Sequence, residues 1–152
     1  MSDRRVVITG LGLLSPVGNN VSDSWKNILS GTSGAKTIDR FDVSKFETQF
    51  AATVDIDLSD YLDKKEIRRT DPFIQYGLVA ADECLLDSSI DLNNIDKARF
   101  GVSIGSGIGG LGTIEDNKTK LSDSGPKKIS PFFVPGAICL LYTSPSPRDL
   151  LG

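Results

Sequence analysis

Phe100-Gly-Val-Ser-Ile-Gly-Ser-Gly-Ile-Gly-Gly110 is the stretch whose reading decides the fold. Phe100 to Ile104 has the short, β-branched character of a strand. It runs into a glycine-rich turn, and Leu111 to about Leu121 reads as a helix. A similar unit opens the chain. Arg5-Val-Val-Ile-Thr9 predicts a buried strand, followed by a loop, Gly10 to Gly18, that holds three glycines and a proline. Ser22 to Ser30 then reads as a short helix with Trp25, Ile28 and Leu29 on one face and Gly31 as its stop. Pro72 to Leu86 is the clearest helix. Proline suits a first turn, Asp71 suits the positive end of the dipole, and Ile74, Leu78, Ala81 and Leu85 recur at spacings of 4, 3 and 4. The order strand, helix, helix, strand, helix predicts an α/β fold.

Between these elements the signals are weaker. Phe41, Phe46 and Phe50 are expected to pin a loose polar segment to a core, and Phe50 to Val54 is a candidate strand. Ile90 to Ala98 reads as a polar connection. Ser130-Pro-Phe-Phe-Val-Pro-Gly136 is apolar but interrupted by proline, so it predicts a packed loop or helix entry.

Composition narrows the function. The chain has 152 residues, 17 Lys and Arg against 20 Asp and Glu, and a net charge of −3. No global positive field exists to draw in nucleic acid or anionic lipid. No apolar run approaches a membrane span, and none at the N-terminus resembles a secretory leader. Cys84 and Cys139 form neither a disulfide framework nor a metal spacing, which fits a reducing cytoplasm. The histidine count is zero, so neither a His-based triad nor imidazole acid–base chemistry can be assembled from this chain alone. No metal and no cofactor is expected.

Gly105, Gly107 and Gly110 satisfy the G-x-G-x-x-G spacing of a dinucleotide site. That fingerprint also needs an acidic residue about 20 positions on, at the end of a second strand. Ser130-Pro131 stands there instead. Backbone freedom and close approach are the better reading of both glycine loops, and a nucleotide-binding α/β domain is the weakest of the alternatives.

Four segments in order resemble the elongating β-ketoacyl-acyl-carrier-protein synthases: Arg4 to Gly18, Phe73-Ile-Gln-Tyr-Gly-Leu-Val-Ala80, Ile104 to Leu111, and Lys128-Ile-Ser-Pro-Phe-Phe-Val-Pro135. The bacterial-type second synthase is the nearest likeness. The resemblance implies part of the N-terminal half of a thiolase-like fold, a layered α-β-α-β-α architecture that is homodimeric when complete. It also implies a decarboxylative Claisen condensation of acyl and malonyl thioesters carried by acyl carrier protein. In that reaction a cysteine thiolate, supported by two histidines, takes the acyl chain.

The resemblance covers residues 1 to 138, and 139–152 reads as a divergent tail of artefactual origin. The nucleophilic elbow of the family lies beyond the Pro-Phe-Phe-Val-Pro motif, so no catalytic residue is assigned and the fragment is expected to be inactive. Cys139 lacks that elbow. Cys84 falls on the apolar side of a helix, where a thiol acts as a small hydrophobe. The alternative is a non-catalytic short form that binds carrier protein or a complete synthase. Incomplete layering predicts poor solubility or dimer-dependent folding.

Two groups of residues carry over. Lys65, Arg68 and Arg69 form a local cationic patch at helical spacings of 3 and 4. The matching positions in the family dock the acidic carrier protein, whereas a solvated surface run is the ordinary reading of such charges. Ile108 and Phe133 match positions that line or gate the acyl pocket, whereas ordinary core is the ordinary reading of such residues.

Overall fold

The computed structural model describes residues 5–138. Residues 139–152, with Cys139 and the segment read above as a divergent tail, lie outside the described residues. The elements are α1 (Val21–Leu29), β1 (Ala35–Thr37), β2 (Phe50–Ala52), α2 (Lys64–Arg69), α3 (Pro72–Ser88), α4 (Leu111–Ser124) and α5 (Phe133–Ala137). Single 3-10 turns stand at Leu58–Asp60, Lys97–Arg99 and Pro126–Lys128. The chain divides into two compact units. One holds 5–57 and Val79–Ile90, and the other holds Leu58–Leu78 and 91–138.

In the first unit, α1 begins where local chemistry dictates. Asn20 is extended, and its side-chain oxygen accepts from the Asp23 N–H at 2.7 Å. Gly31, at φ +71°, closes the helix with its N–H on the Ile28 carbonyl. The buried residue of α1 is Ser24, whose hydroxyl donates to the Gly18 carbonyl at 3.0 Å and lies 2.9 Å from the Ser15 hydroxyl. Trp25, Ile28 and Leu29 share a face as expected, but that face is exposed.

The Gly10 loop lies against the C-terminal half of α3. A Cβ at Gly12 would overlap the Ala80 carbonyl, and one at Gly10 would sit 2.6 Å from the Ser88 nitrogen. Two acids of α3 receive the loop's backbone. The Leu13 N–H donates to Glu83 at 2.8 Å and the Leu11 N–H to Asp87 at 2.9 Å. Four residues on a helix thus match two residues on an extended chain. Glu83 also accepts from the Val21 N–H at 2.8 Å. Carboxylates near a helix C-terminus are disfavoured by the dipole. These hydrogen bonds offset that cost.

β1 and β2 form an antiparallel ribbon in the register Ala35↔Ala52, Lys36↔Ala51 and Thr37↔Phe50. The candidate strand at Phe50 is therefore present, though shorter than expected. Phe41 and Phe46 meet edge to face at 5.9 Å, yet both are exposed, as is Phe50. They make a surface contact and do not anchor a core.

Neither Arg5 to Thr9 nor Phe100 to Ile104 is a strand, which corrects both expectations. A strand is held by the ladder it shares with a neighbour, and among the described residues no segment supplies one. Val6 and Ile8 are 91% and 83% exposed.

In the second unit the polar residues are as deeply placed as the apolar ones. Leu62, Ile74 and Ala137 are buried, and so are Asp71, Gln75 and Asn117. Asp71 precedes α3 and accepts from the Phe73 N–H at 3.4 Å. Its other oxygen accepts from the Thr113 N–H at 3.2 Å and the Thr113 hydroxyl at 2.7 Å, inside the first turn of α4. The residue before α4 is Gly110, which has no side chain to cap with. Asp71 therefore caps two helices at once. Gln75 donates to the carbonyls of Thr70 at 2.6 Å and Ile67 at 3.0 Å, tying α3 back to α2. Asn117 donates to the Thr113 carbonyl at 2.8 Å and accepts from the Ser130 N–H at 3.0 Å, which fixes the segment leading into α5.

Asp71→Ala should destabilise the second unit by about 2–4 kcal/mol, since it strips a cap from two helices and leaves partly buried donors unpaired. Urea titration followed by circular dichroism measures this, and amide exchange should show α4 losing protection first. Val6→Lys with Ile8→Lys should raise solubility and leave the far-ultraviolet spectrum unchanged. A light-scattering assay across concentration reads that outcome.

Candidate functional site

α2 is a short cationic helix made possible by its cap. Asp63 accepts from the Lys65 N–H at 2.7 Å and the Glu66 N–H at 2.8 Å. These backbone donors, Glu66 first and then Lys65, hold the Asp63 carboxyl below its ordinary value of 3.8. At the other end, Thr70 donates through its hydroxyl to the Glu66 carbonyl at 2.7 Å. Lys65, Arg68 and Arg69 are all exposed, as a docking surface requires. Arg68 is steadied by its Nε donating to the Lys64 carbonyl at 3.0 Å. The Arg69 guanidinium lies 4.5 Å from the centre of the Phe132 ring, a cation–π contact that fixes its direction.

The patch is continuous with a groove. Arg68, Arg69 and Thr70 form one wall, α4 contributes Thr113, Asp116, Asn117 and Lys120, and Ser130, Phe132 and Phe133 close the end. Sequence reasoning identified the α2 cations but missed Lys120, Asp116 and Phe132. Asp116 and Lys120 stand four apart on one helix, a spacing that could have flagged a charged face. Its place beside α2 could not be read from spacing.

The structure does not bring Ile108 and Phe133 together in one cavity. Phe133 is half-buried at the start of α5 and borders the polar groove. Ile108 is 77% exposed, between Gly107 and Gly109. The apolar pocket of this unit is lined by Phe73, Ile74, Tyr76, Gly77, Leu78 and the Ile104–Ser106 segment, and includes neither residue.

The glycine loop is not a nucleotide cradle. Gly105 and Gly107 have open space where a Cβ would stand. The conformational demand falls on Gly109, at φ +84°, and on Gly110, where a Cβ would come within 3.0 Å of the Asp71 carboxylate. That carboxylate occupies the N-terminus of α4, where a pyrophosphate would have to bind, and it would repel one. Cys84 is half-buried, with its thiol directed at the Gly10 carbonyl at 3.4 Å. No group of three metal-ligating side chains occurs among the described residues.

The family model for the β-ketoacyl synthase N-terminal domain matches residues 3–143, so the chain belongs to the β-ketoacyl synthase family. It is 55% identical over 139 residues to 3-oxoacyl-[acyl-carrier-protein] synthase 2 of Coxiella burnetii, covering 91% of this chain and 34% of that protein. It is 44% identical over 149 residues to the synthase 2 of Staphylococcus aureus, covering 97% of this chain and 36% of that one. The chain thus spans about a third of the length of the curated relatives it matches. Among solved structures it resembles the ishigamide ketosynthase/chain length factor, with a TM-score of 0.72 at 24% identity over 89% of this chain and 34% of that one. It also resembles a type II polyketide ketosynthase in complex with its acyl-carrier protein, with a TM-score of 0.67 at 25% identity over 87% of this chain and 34% of that one. The fold is part of the thiolase-like ketosynthase fold, as the resemblance implied.

The cap on α2 sets a pH dependence. A folded-state value below the unfolded one means that the Asp63 contribution is present above the unfolded value and is lost as pH falls through the folded one. Amide shifts of Lys65 and Glu66 followed by NMR should therefore report a transition whose midpoint lies below 3.8, and Asp63→Ala should abolish that transition and fray α2.

Proposed function

We propose that this chain is the N-terminal part of a 3-oxoacyl-[acyl-carrier-protein] synthase that elongates fatty acids. In the whole synthase a cysteine thiolate attacks the acyl thioester and releases the carrier thiol. Malonyl carrier protein then loses carbon dioxide, and the carbanion left behind attacks the enzyme-bound thioester and expels the cysteine thiolate. The observation that carries the reading is the family match over residues 3–143, together with 44–55% identity to proteins of that name. Lys65, Arg68 and Arg69 serve to dock the acidic carrier protein in acyl and malonyl forms, and Ile108 and Phe133 line the acyl pocket once the synthase is complete. The complete protein works as a cytoplasmic homodimer. Among the described residues no helix is long and apolar enough to cross a membrane.

The 152-residue chain itself performs no condensation, because it contains no histidine to stabilise the charge that develops. What it retains is the docking surface. Binding of carrier protein can therefore be tested on this chain apart from turnover.

Incubating the purified chain with acyl and malonyl carrier proteins should give no β-ketoacyl product by mass spectrometry. The same chain should bind carrier protein in a titration. Reversing Lys65, Arg68 and Arg69 to Glu should weaken that binding by about tenfold or more, with most of the effect on association at low salt. Turnover by the chain would overturn the inactivity claim, and unchanged binding by the triple variant would overturn the docking role.

A further inference from the structure

The groove beside α2 has a charge balance that the α2 patch alone does not explain. Its lining brings Arg68 and Arg69 together with Lys120 of α4, against one carboxylate, Asp116. Lys120 and Asp116 are both exposed. The polar side chains at the groove floor are already committed. Asn117 bonds the Thr113 carbonyl and the Ser130 N–H, and the Thr113 hydroxyl bonds Asp71. An incoming group therefore meets cations at the mouth and satisfied dipoles beneath. Such a surface selects by charge, and an acidic protein with carboxylates spread over its contact face could meet cations on two separate elements.

We propose that α4 is part of the carrier-protein docking surface, with Lys120 as a cationic contact and Asp116 as a repulsive one that limits affinity. This rests on the docking reading given above and extends it from one helix to two. Arg69, the last residue of α2, is held over the Phe132 ring in the groove that α4 also lines, and so offers the acidic partner a fixed point of positive charge. The mixed sign is informative. A surface of cations alone would capture any polyanion, whereas one carboxylate among three cations penalises partners whose charges do not fall in register.

The test is fluorescence anisotropy of labelled acyl carrier protein titrated with the full 152-residue chain at several salt concentrations. Circular dichroism confirms that each variant folds as the parent does. Lys120→Ala should weaken binding about two- to fivefold, the range for an exposed pair, and lower the salt dependence. Lys120→Glu should weaken it further, and Asp116→Asn should tighten it. Lys26→Glu, on α1 and outside the groove, should cost less than Lys120→Glu. If Arg68→Glu weakens binding while Lys120→Glu and Asp116→Asn leave it unchanged, the extension to α4 is wrong and the α2 docking reading stands. If Lys26→Glu costs as much as Lys120→Glu, the effect is net charge and the extension is again wrong. If Arg68→Glu also changes nothing, or the chain binds no carrier protein, the docking reading itself falls and takes the extension with it.

Discussion

The Asp71 carboxylate stands where the first turns of α3 and α4 meet, and the second unit is arranged around it. A helix start leaves backbone N–H groups without partners and carries partial positive charge. Here two such starts share one anion. Asp71 receives the Phe73 N–H from its own helix and the Thr113 N–H and hydroxyl from the other. Its backbone N–H donates to the Gly136 carbonyl, and Gly110 donates to the Ala137 carbonyl. The C-terminal end of α5 is thereby tied to the same junction. The glycines follow from this crowding. A side chain at Gly110 would strike Asp71, and one at Gly136 would strike the Arg69 carbonyl. The capping anion and the absence of a Cβ at these positions are one requirement expressed at two sites in the sequence.

The first unit applies the same chemistry to an extended loop, besides the start of α1. Glu83 and Asp87 take backbone N–H groups of Leu11 and Leu13, donors that would otherwise need a strand neighbour. The match works because one helical turn and two extended residues span comparable lengths, about 6 Å each. Both acids sit where the α3 dipole disfavours them. Their place in the sequence is explained by the loop they hold and not by helix propensity.

This division also separates what the sequence disclosed from what it did not. Helix ends are set by neighbours a few residues away, so Gly31 marked the end of α1 and Pro72 the start of α3 to within a residue or two. Of the three anticipated strands only the one at Phe50 formed, because pairing is a property of distant partners. Val6 and Val102 carry strand-like side chains with no ladder among the described residues. The polar centre of the second unit was hidden for a related reason. Periodicity marks apolar stripes, and it found Ile74, but Gln75 is buried next to it because of carbonyls on α2. At the candidate site the α2 cations were legible as a run. Lys120 was not, because nothing in a linear sequence places α4 beside α2.

A chain of net charge −3 can still present an attractive face to an acidic partner, and distance decides this. At physiological ionic strength charges are screened beyond about 8 Å, so a partner in contact responds to the side chains under it and hardly at all to the sum over the molecule. Arg68, Arg69 and Lys120 share one groove, while other acids of the chain are spent elsewhere. Asp71, Glu83 and Asp87 hold backbone amides, and Asp63 holds the start of α2. The carboxylates that cap and tether the fold are thus the reason the cations of the groove can act unopposed by them. Anions turned toward amides and cations turned toward solvent let one acidic polypeptide fold and still present a cationic groove.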